Sequence, residues 1–432
     1  MDTYVLPLGS KSPSLAELQQ NGLASVERHP STWSPEAEQD RIAGPAASLL
    51  TNGLKAKRPV KATAAPSTGA TYPEPPRTIT DKECTDNLNN GLFYFKSRYA
   101  MCGGMQFQQV WGRNGRPVGE SGFALIVLGT IPNAKDRTVR FDYHFSHFSK
   151  AGNTKTSGLV VTTEVSQKLL VSKAQKRESG LIPPKESFDA LKASPNYRHN
   201  VVFDAGQGTK PDDLITMAYV PFVSMKYPPE YTGVNPGQVR VTFTAMNWDA
   251  APYLPNSKAT DPKQRGGAAF AYKAVLPYSS KQGAPEQAVT DHLNVAHTQP
   301  AKTKPPNPKK DVPGFEVKRP LHRLARDKSR LRANRRAAQS MCVMYWGANY
   351  ATSDPKGPRE CDEYPFASTY EGAAQSKYER NVLEGNFSAL PIPKAENKAG
   401  GTILSLFYDR NRVLDGRDAK GDEVDAYIVN IK

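Results

Sequence analysis

The chain has 432 residues, of which 38% are hydrophobic and 23% are charged. This length allows two or more domains with buried cores. No stretch approaches the ~20 apolar residues of a membrane-spanning helix, so an integral membrane protein built on such helices is excluded. The net charge of +15 favours a polyanionic partner, either nucleic acid or an anionic surface, without choosing between them.

Residues 1–77 are predicted to be a disordered lead-in. Ala, Pro, Ser, Thr and Lys dominate residues 54–76, a composition that buries too little apolar surface to fold. A short helix near residues 15–23 is the exception. The first thirty residues lack the charged and then apolar segments of a signal peptide.

Residues 78–278 are predicted to form an all-β, sandwich-like module. Short runs rich in Val, Phe, Tyr and Thr are separated by Gly, Pro, Asn or Asp, which is typical of antiparallel strands. These runs cover residues 92–99, 106–111, 123–128, 138–148, 158–165, 200–203, 214–223 and 239–248. His144 and His147 lie three positions apart, on opposite faces of a strand, and are a poor metal pair. The module is therefore expected to bind an unknown ligand or to serve as a scaffold.

The four cysteines occur as two local pairs, Cys84 with Cys102 and Cys342 with Cys361. Spacings of about twenty residues suit disulfide-closed loops. None of the cysteines lies in a CxxC zinc pattern. Two disulfides predict a protein that works outside a reducing cytoplasm, so an extracellular location is expected although no signal peptide is visible.

Residues 279–319 are predicted to be a basic Pro- and Lys-rich linker, followed by a helix over residues 321–339. Arg323, Arg326 and Arg330 share one face of that helix at positions i, i+3 and i+7. This face is either a solvated basic surface or a row that binds DNA phosphates, and we favour the second interpretation because of the acidic cluster that follows.

The acidic cluster occupies residues 361–372 (CDEYPFASTYEG). Residues 341–345 before it (MCVMY) are predicted to be a buried strand, which a Cys342–Cys361 bridge would tie to the cluster. Asp362, Glu363 and Glu371 offer hard oxygen ligands, which suit Mg²⁺, Mn²⁺ or Ca²⁺ better than zinc. Residues 340–432 contain no histidine. A base within this region is therefore expected to be a carboxylate, and His322 is the alternative.

The whole pattern resembles the NucA/NucB family of bacterial extracellular deoxyribonucleases. The resemblance rests on residues 361–372, on Glu396-Asn397 with Gly400-Gly401, and on Gly421-Asp422. It covers residues 320–432 and implies a small ββα-metal type nuclease domain. An acidic residue replaces the usual histidine base of that fold, and the cofactor is a divalent ion, Mg²⁺ or Mn²⁺ before Ca²⁺.

Site residues follow from this resemblance by position. Asp362 is expected to be the general base, and Glu363 to support it or the metal. Glu371 and Asn397 are expected to be metal ligands or to contact the ligands. Lys394 and Lys398 either steady the scissile phosphate or face water.

The sequence thus predicts an α+β multidomain protein that is a secreted, metal-dependent, largely sequence-nonspecific endodeoxyribonuclease. DNA is the expected partner of its C-terminal domain, and no membrane span is expected. The alternative is a non-enzymatic adhesion protein whose β-module binds a surface polymer and whose nuclease-like domain is inactive.

Overall fold

The computed structural model describes residues 1–21, 69–88, 93–241 and 243–432. These residues form an α+β structure with mostly antiparallel sheets, in two compact units. Of the described residues, 1–21, 75–88, 93–241 and 243–272 belong to the first unit, and 69–74 and 273–432 belong to the second. Most of the predicted lead-in, residues 22–68, lies outside the described residues.

The first unit contains a seven-stranded antiparallel sheet of order β1-β3-β4-β5-β9-β7, with β2 paired to β3. Its strands are β1 (Asp2–Leu6), β2 (Phe93–Ser97), β3 (Ala100–Arg113), β4 (Arg116–Thr130), β5 (Val139–Gly152), β7 (Lys176–Gly180) and β9 (Asn196–Phe203). Asn114 and Gly115 connect β3 to β4 with φ values of 52° and 76°. A two-residue hairpin turn with both φ angles positive matches the twist of the strands it joins.

A six-stranded antiparallel sheet of order β13-β12-β10-β6-β8, with β11 paired to β10, completes the strands of this unit. Its strands are β6 (Val160–Val171), β8 (Glu186–Ser187), β10 (Ile215–Lys226), β11 (Val239–Arg240), β12 (Met246–Asp249) and β13 (Gly267–Phe270). Side chains of both sheets share one hydrophobic core. Within it Phe141 of β5 stacks on Tyr219 of β10. Every predicted β-rich run overlaps one of these strands.

Strand β5 shows how the alternating pattern produces a half-buried strand. Val139, Phe141, Tyr143 and Phe145 are buried, whereas the residues between them are not. His144 is one of the intervening residues, and its Nδ1 lies 2.6 Å from Asp81 Oδ1. His147 has a different partner, because its Nδ1 lies 2.9 Å from Oγ of Ser146.

Among its described residues, the first unit has three short α-helices: α1 (Leu15–Asn21), α2 (Asp81–Asn87) and α3 (Phe188–Ala193). Helix α1 lies where the sequence predicts a helix in the lead-in. The Cys84–Cys102 disulfide joins α2 to β3.

The second unit contains two small sheets and, among the described residues, four α-helices. Strand β14 (Ala274–Tyr278) pairs in parallel with β17 (Tyr427–Ile431), and β15 (Arg359–Tyr364) pairs antiparallel with β16 (Ser388–Pro393). The helices are α4 (Gln287–Thr298), α5 (Lys328–Trp346), α6 (Gln375–Tyr378) and α7 (Lys394–Arg410). Helix α7 begins directly after β16, and the chain order here is β15-α6-β16-α7, with the four-residue helix α6 in the connection between the paired strands.

Residues 279–319, predicted to be a linker, instead contain helix α4 and contribute to the core of the second unit. Val289, Leu293 and Ala296 of α4 are buried in the same cluster as Phe407 of α7. Burial of the Val and Leu side chains alone contributes roughly 3–6 kcal/mol. The Pro- and Lys-rich composition of the segment conceals this helix, although its apolar residues recur at helical spacing.

The predicted helix over 321–339 begins later, at Lys328, where the side chain of Asp327 accepts a hydrogen bond from Arg330 N at 2.8 Å. It also continues to Trp346, through the residues predicted to be a buried strand. Cys342 is buried in this stretch, whereas Met344 is 66% exposed. Among the described helices, none is long and apolar enough to cross a membrane.

Candidate active site

Strand β15 holds the first two acidic residues of the cluster. It pairs with β16, so that Asp362 lies opposite Leu390 and Glu363 opposite Ala389. The Cys342–Cys361 disulfide ties the same strand to α5. Because successive side chains of a strand point to opposite faces, Asp362 and Glu363 do not share one pocket.

Asp362 points towards helix α4 and meets a histidine there. Its Oδ2 lies 2.7 Å from Nδ1 of His292, and the two side chains are 9% and 2% exposed. The other ring nitrogen of His292, Nε2, lies 2.6 Å from Oγ of Ser388 on β16. When Nδ1 donates to the carboxylate, Nε2 accepts from the serine hydroxyl. A carboxylate, an imidazole and a hydroxyl in this order form an arrangement suited to proton transfer.

Glu363 points away from His292, towards helix α5. Its Oε1 accepts a hydrogen bond of 3.3 Å from Ala367 N. Burial and then repulsion by Asp362 raise the pKa of Glu363 to about 8, although Ala367 N and the Arg335 guanidinium oppose the shift. Glu363 is therefore largely protonated at neutral pH, which makes it a weak ligand for a cation.

Glu371 binds His322. The two oxygens of Glu371 contact His322 Nδ1 at 2.7 Å and His322 N at 3.0 Å, and Glu423 Oε2 lies 2.9 Å from His322 Nε2. Burial alone would lower the pKa of His322, but the hydrogen bonds with both glutamates raise it to about 9. A histidine protonated at neutral pH cannot accept a proton, so His322 is unsuited to be the alternative base.

Asn397 and Glu396 lie at the start of α7 and have separate partners. Asn397 Nδ2 donates to Glu360 Oε2 at 3.0 Å. Glu396 Oε2 accepts a hydrogen bond of 2.5 Å from Ala288 N, at the first turn of α4. Helix α4 thus contacts both Asp362 and Glu396 through residues 288 and 292, which lie one helical turn apart.

The three arginines predicted to form a DNA-binding row instead bind within the second unit. Arg323 Nη1 donates to Val413 O at 2.8 Å, and Arg326 Nη2 donates to Arg417 O at 2.6 Å. Arg330 is buried and contacts Tyr370 O and Glu379 Oε1. Only Arg330 lies in α5, so the three do not share a helical face.

A cavity of about 430 Å³ lies beside His292. The residues lining it include His292 and Ser388, the cations Lys302, Lys304 and Arg359, and the indole of Trp346. Lys304 Nζ also lies 4.9 Å from the ring centroid of Tyr345. Cations interleaved with aromatic rings suit a nucleic-acid strand. Of the lysines predicted to contact phosphate, Lys394 pairs with Glu360 at 3.2 Å, and Lys398 is exposed.

The predicted metal ligands do not make up one ligand set. Glu371 is bound to His322, whereas Asn397 lies beside Glu360. In the part of the chain that the structure describes, no group of three or more His, Cys, Asp and Glu residues could hold a metal ion.

Sequence reasoning does not identify His292, because the composition of residues 279–319 indicates a linker and His292 lies seventy positions before the acidic cluster. The signal that could have found it is local. In α4 the apolar residues Val289, Leu293 and Ala296 recur at spacings of four and three, the pattern of a packed helix. His292 follows Val289 by three positions, on the same face as these residues.

Comparison with known proteins gives one match. Residues 315–419 match the family Deoxyribonuclease NucA/NucB, in agreement with the resemblance seen in the sequence. The matched segment includes Asp362 and Ser388, but it begins after His292 and does not include it. No curated protein and no solved structure matches the chain.

Proposed function

We propose that the second unit is a deoxyribonuclease that hydrolyses phosphodiester bonds within DNA. One observation carries the proposal. Residues 315–419 match a deoxyribonuclease family, and Asp362 within them contacts the imidazole of His292. His292 lines a cavity that is also lined by Lys302, Lys304 and Arg359. Hydrolysis requires that a water lose a proton while its oxygen attacks phosphorus. Asp362 is the proposed centre of this chemistry, and Glu363, on the opposite face of β15, is proposed to support it.

Recognition of DNA is proposed to depend on charge rather than on base sequence. Lys302 and Lys304 line the cavity, and phosphate contacts from such side chains carry no base information. The proposal therefore includes cleavage with little sequence preference and binding that weakens steeply with salt.

A divalent ion, Mg²⁺ or Mn²⁺, is proposed as the cofactor on the basis of the family alone. Mg²⁺ commonly uses one or two protein carboxylates together with substrate phosphates and water, so a ligand set completed by DNA is compatible with the separate positions of the predicted ligands.

The finer features of the fold are also proposals. The antiparallel pair β15–β16, with the short helix α6 in its connection and α7 after it, is consistent with a ββα-metal type domain. The two sheets of the first unit are consistent with a sandwich-like binding module. Two disulfides support a protein that acts outside the cell, because such bonds persist in oxidising compartments.

A plasmid assay tests the function. Purified full-length protein is incubated with supercoiled plasmid and Mg²⁺ or Mn²⁺, with and without EDTA. We expect cleavage that EDTA blocks and that Asp362→Asn abolishes, whereas the control Glu384→Gln at an exposed position cleaves normally. Plasmid that stays intact with every metal would instead support the non-enzymatic surface-binding alternative.

A further inference from the structure

Helix α4 reaches the site from outside the family match. Its residues 287–298 precede the matched segment 315–419, yet Nδ1 of His292 lies 2.7 Å from Oδ2 of Asp362. In the part of the chain that the structure describes, no other residue forms a hydrogen bond with the Asp362 carboxylate. The orientation of this carboxylate therefore depends on a helix that precedes the matched segment.

An aspartate on a strand does not by itself hold its carboxylate in one orientation. Rotation about the bond between Cβ and Cγ has a broad energy profile, whereas a base must meet its proton at hydrogen-bond distance. The contact with His292 fixes Oδ2 of Asp362. The side chain keeps 9% of its surface exposed. The second oxygen, Oδ1, can therefore take a proton from water while Oδ2 is held.

The imidazole of His292 is itself held at both nitrogens. Its Nε2 lies 2.6 Å from Oγ of Ser388, which is 1% exposed on β16. A hydroxyl that donates to Nε2 leaves the ring proton on Nδ1, where it faces Asp362. Because β16 pairs with β15, the two hydrogen bonds of the ring tie α4 to both strands of this sheet.

The backbone of α4 is fixed as well. Val289 and Leu293 are 2% and 0% exposed, and a Cβ added at Gly400 of α7 would lie only 2.8 Å from Val289. Displacing α4 would expose these aliphatic side chains, which carry much of the packing between the two helices. The helix is therefore a built part of the second unit, and His292 keeps its place beside β15.

Resting on the nuclease function proposed above, we propose that His292 is a positioning residue that orients Asp362 as the general base. A water proton passes to Oδ1 of Asp362 as the water oxygen bonds to phosphorus and the bond from phosphorus to the leaving sugar oxygen breaks. The leaving oxygen takes a proton from solvent, and Asp362 then returns its proton to solvent. The imidazole keeps its Nδ1 proton throughout. The catalytic unit of this chain therefore includes α4, which precedes the matched segment.

Two substitutions of nearly equal shape isolate the hydrogen bond to Asp362. His292→Asn retains an amide N–H near the position of Nδ1, whereas His292→Leu has no donor. For His292→Leu we expect kcat to fall about 10²-fold, as for other misplaced catalytic groups, with KM and DNA binding in EDTA near the wild-type values. His292→Asn should retain most of the wild-type kcat. A melting curve shows whether each variant is folded at the assay temperature.

A control and a second measurement accompany this pair. His297→Leu makes the same change at an exposed histidine of α4 and should keep the wild-type kcat. Ser388→Ala does not depend on the folding of His292→Leu. We expect Ser388→Ala to lower kcat in the wild-type background and to have little effect in His292→Asn, because the amide has no Nε2 that could accept from the hydroxyl.

The outcomes separate this inference from the function on which it rests. If the wild-type protein cleaves plasmid and Asp362→Asn does not, a folded His292→Leu with the wild-type kcat refutes the role of His292 and leaves the nuclease standing. A folded His292→Asn as slow as His292→Leu refutes it too, because a donor to Asp362 would then not suffice. So does an equal effect of Ser388→Ala in both backgrounds. A wild-type protein without activity under any metal would instead refute the function itself.

Discussion

At the scale of single residues, the buried charges around His322 make the stability of the second unit depend on pH. Its pKa of about 9 lies above the ordinary value of 6.5, owing to Glu371 and Glu423. The stabilisation is fully present below pH 6.5 and is lost as the pH rises through 9. A shift of this size corresponds to about 3 kcal/mol.

Replacement of His322 tests this dependence. We expect His322→Gln to lower the free energy of unfolding most near pH 6 and progressively less towards pH 9.5, as measured by urea denaturation at each pH. The control His297→Gln, at an exposed position, should show no such trend. A loss of stability in His322→Gln that is constant across this range would contradict the assigned protonation.

Glu363 is also expected to make the stability of the wild-type protein fall as the pH rises, but through a buried negative charge rather than through the loss of ion pairs. Its pKa of about 8 exceeds the ordinary value of 4.5 because of burial and the Asp362 charge. Between these pH values the folded state holds a proton that the unfolded state has lost, so the wild-type protein loses stability as the pH rises. The stability of Glu363→Gln relative to wild type should therefore increase from pH 4.5 to 8 in denaturation experiments. The matched control is Glu384→Gln, and a flat difference for Glu363→Gln would refute the shift.

The residue scale also shows what the sequence can and cannot locate. Asp362 and the cysteine pairs stand out because their neighbours in sequence form specific local patterns. His292 does not, because its chemistry depends on a contact with a residue seventy positions away. For the arginines, the sequence shows the charge but not the partner. Arg330 donates hydrogen bonds to Glu379 and to the backbone of Tyr370 instead of binding a phosphate.

At the scale of elements, the segment before α5 places cations at the cavity. Lys302 and Lys304 line it together with Trp346 at the exposed end of α5, and the neighbouring Tyr345 ring contacts Lys304. We expect Lys302→Gln and Lys304→Gln each to weaken DNA binding uniformly across sequences and to reduce the slope of log K against log salt by about 1. Fluorescence anisotropy with labelled DNA in EDTA measures both.

The control for these lysines lies in the same segment. Lys309 is exposed and is not among the residues lining the cavity. Lys309→Gln should leave the affinity and its salt dependence close to those of the wild-type protein. An equal effect of all three substitutions would indicate a diffuse electrostatic attraction instead of a cleft.

Element prediction succeeded where the local pattern had one interpretation. The β-rich runs of the first unit alternate or carry turn residues, and each overlaps a strand. The prediction of a strand over residues 341–345 was wrong, because a short apolar run does not distinguish a strand from the end of a helix. Here a stripe of buried residues, Arg330, Asn334, Ala338 and Cys342, recurs every four positions and continues the helix.

At the scale of the whole molecule, the second unit is assembled from two separate stretches of sequence. Tyr72 packs edge to face on Phe407 with ring centroids 5.6 Å apart, and its hydroxyl accepts a hydrogen bond from Asn411. Composition alone assigns residues 1–77 to a lead-in. The described part of this segment that belongs to the second unit, residues 69–74, is too short to show a hydrophobic periodicity. Long-range packing of this kind cannot be derived from a local pattern.

Substitution of Tyr72 measures this anchor. We expect Tyr72→Ala in the full-length protein to destabilise the second unit by about 3 kcal/mol, as for other buried aromatic side chains. Calorimetry should show a lower transition temperature for that unit. Leu181→Ala, at a position that is 55% exposed in the first unit, is the control. Unchanged unfolding of Tyr72→Ala would show that the contact contributes nothing to stability.

The contact of Tyr72 with Phe407 also orders events during synthesis. Residues 75–272 lie between the two stretches of the second unit, and a chain leaves the ribosome from its N-terminus. The β-rich unit is therefore complete in translation while the binding partners of residue 72 do not yet exist. Residue 72 must therefore wait until Phe407 and Asn411 have been synthesised, and the fold of the second unit cannot be completed earlier.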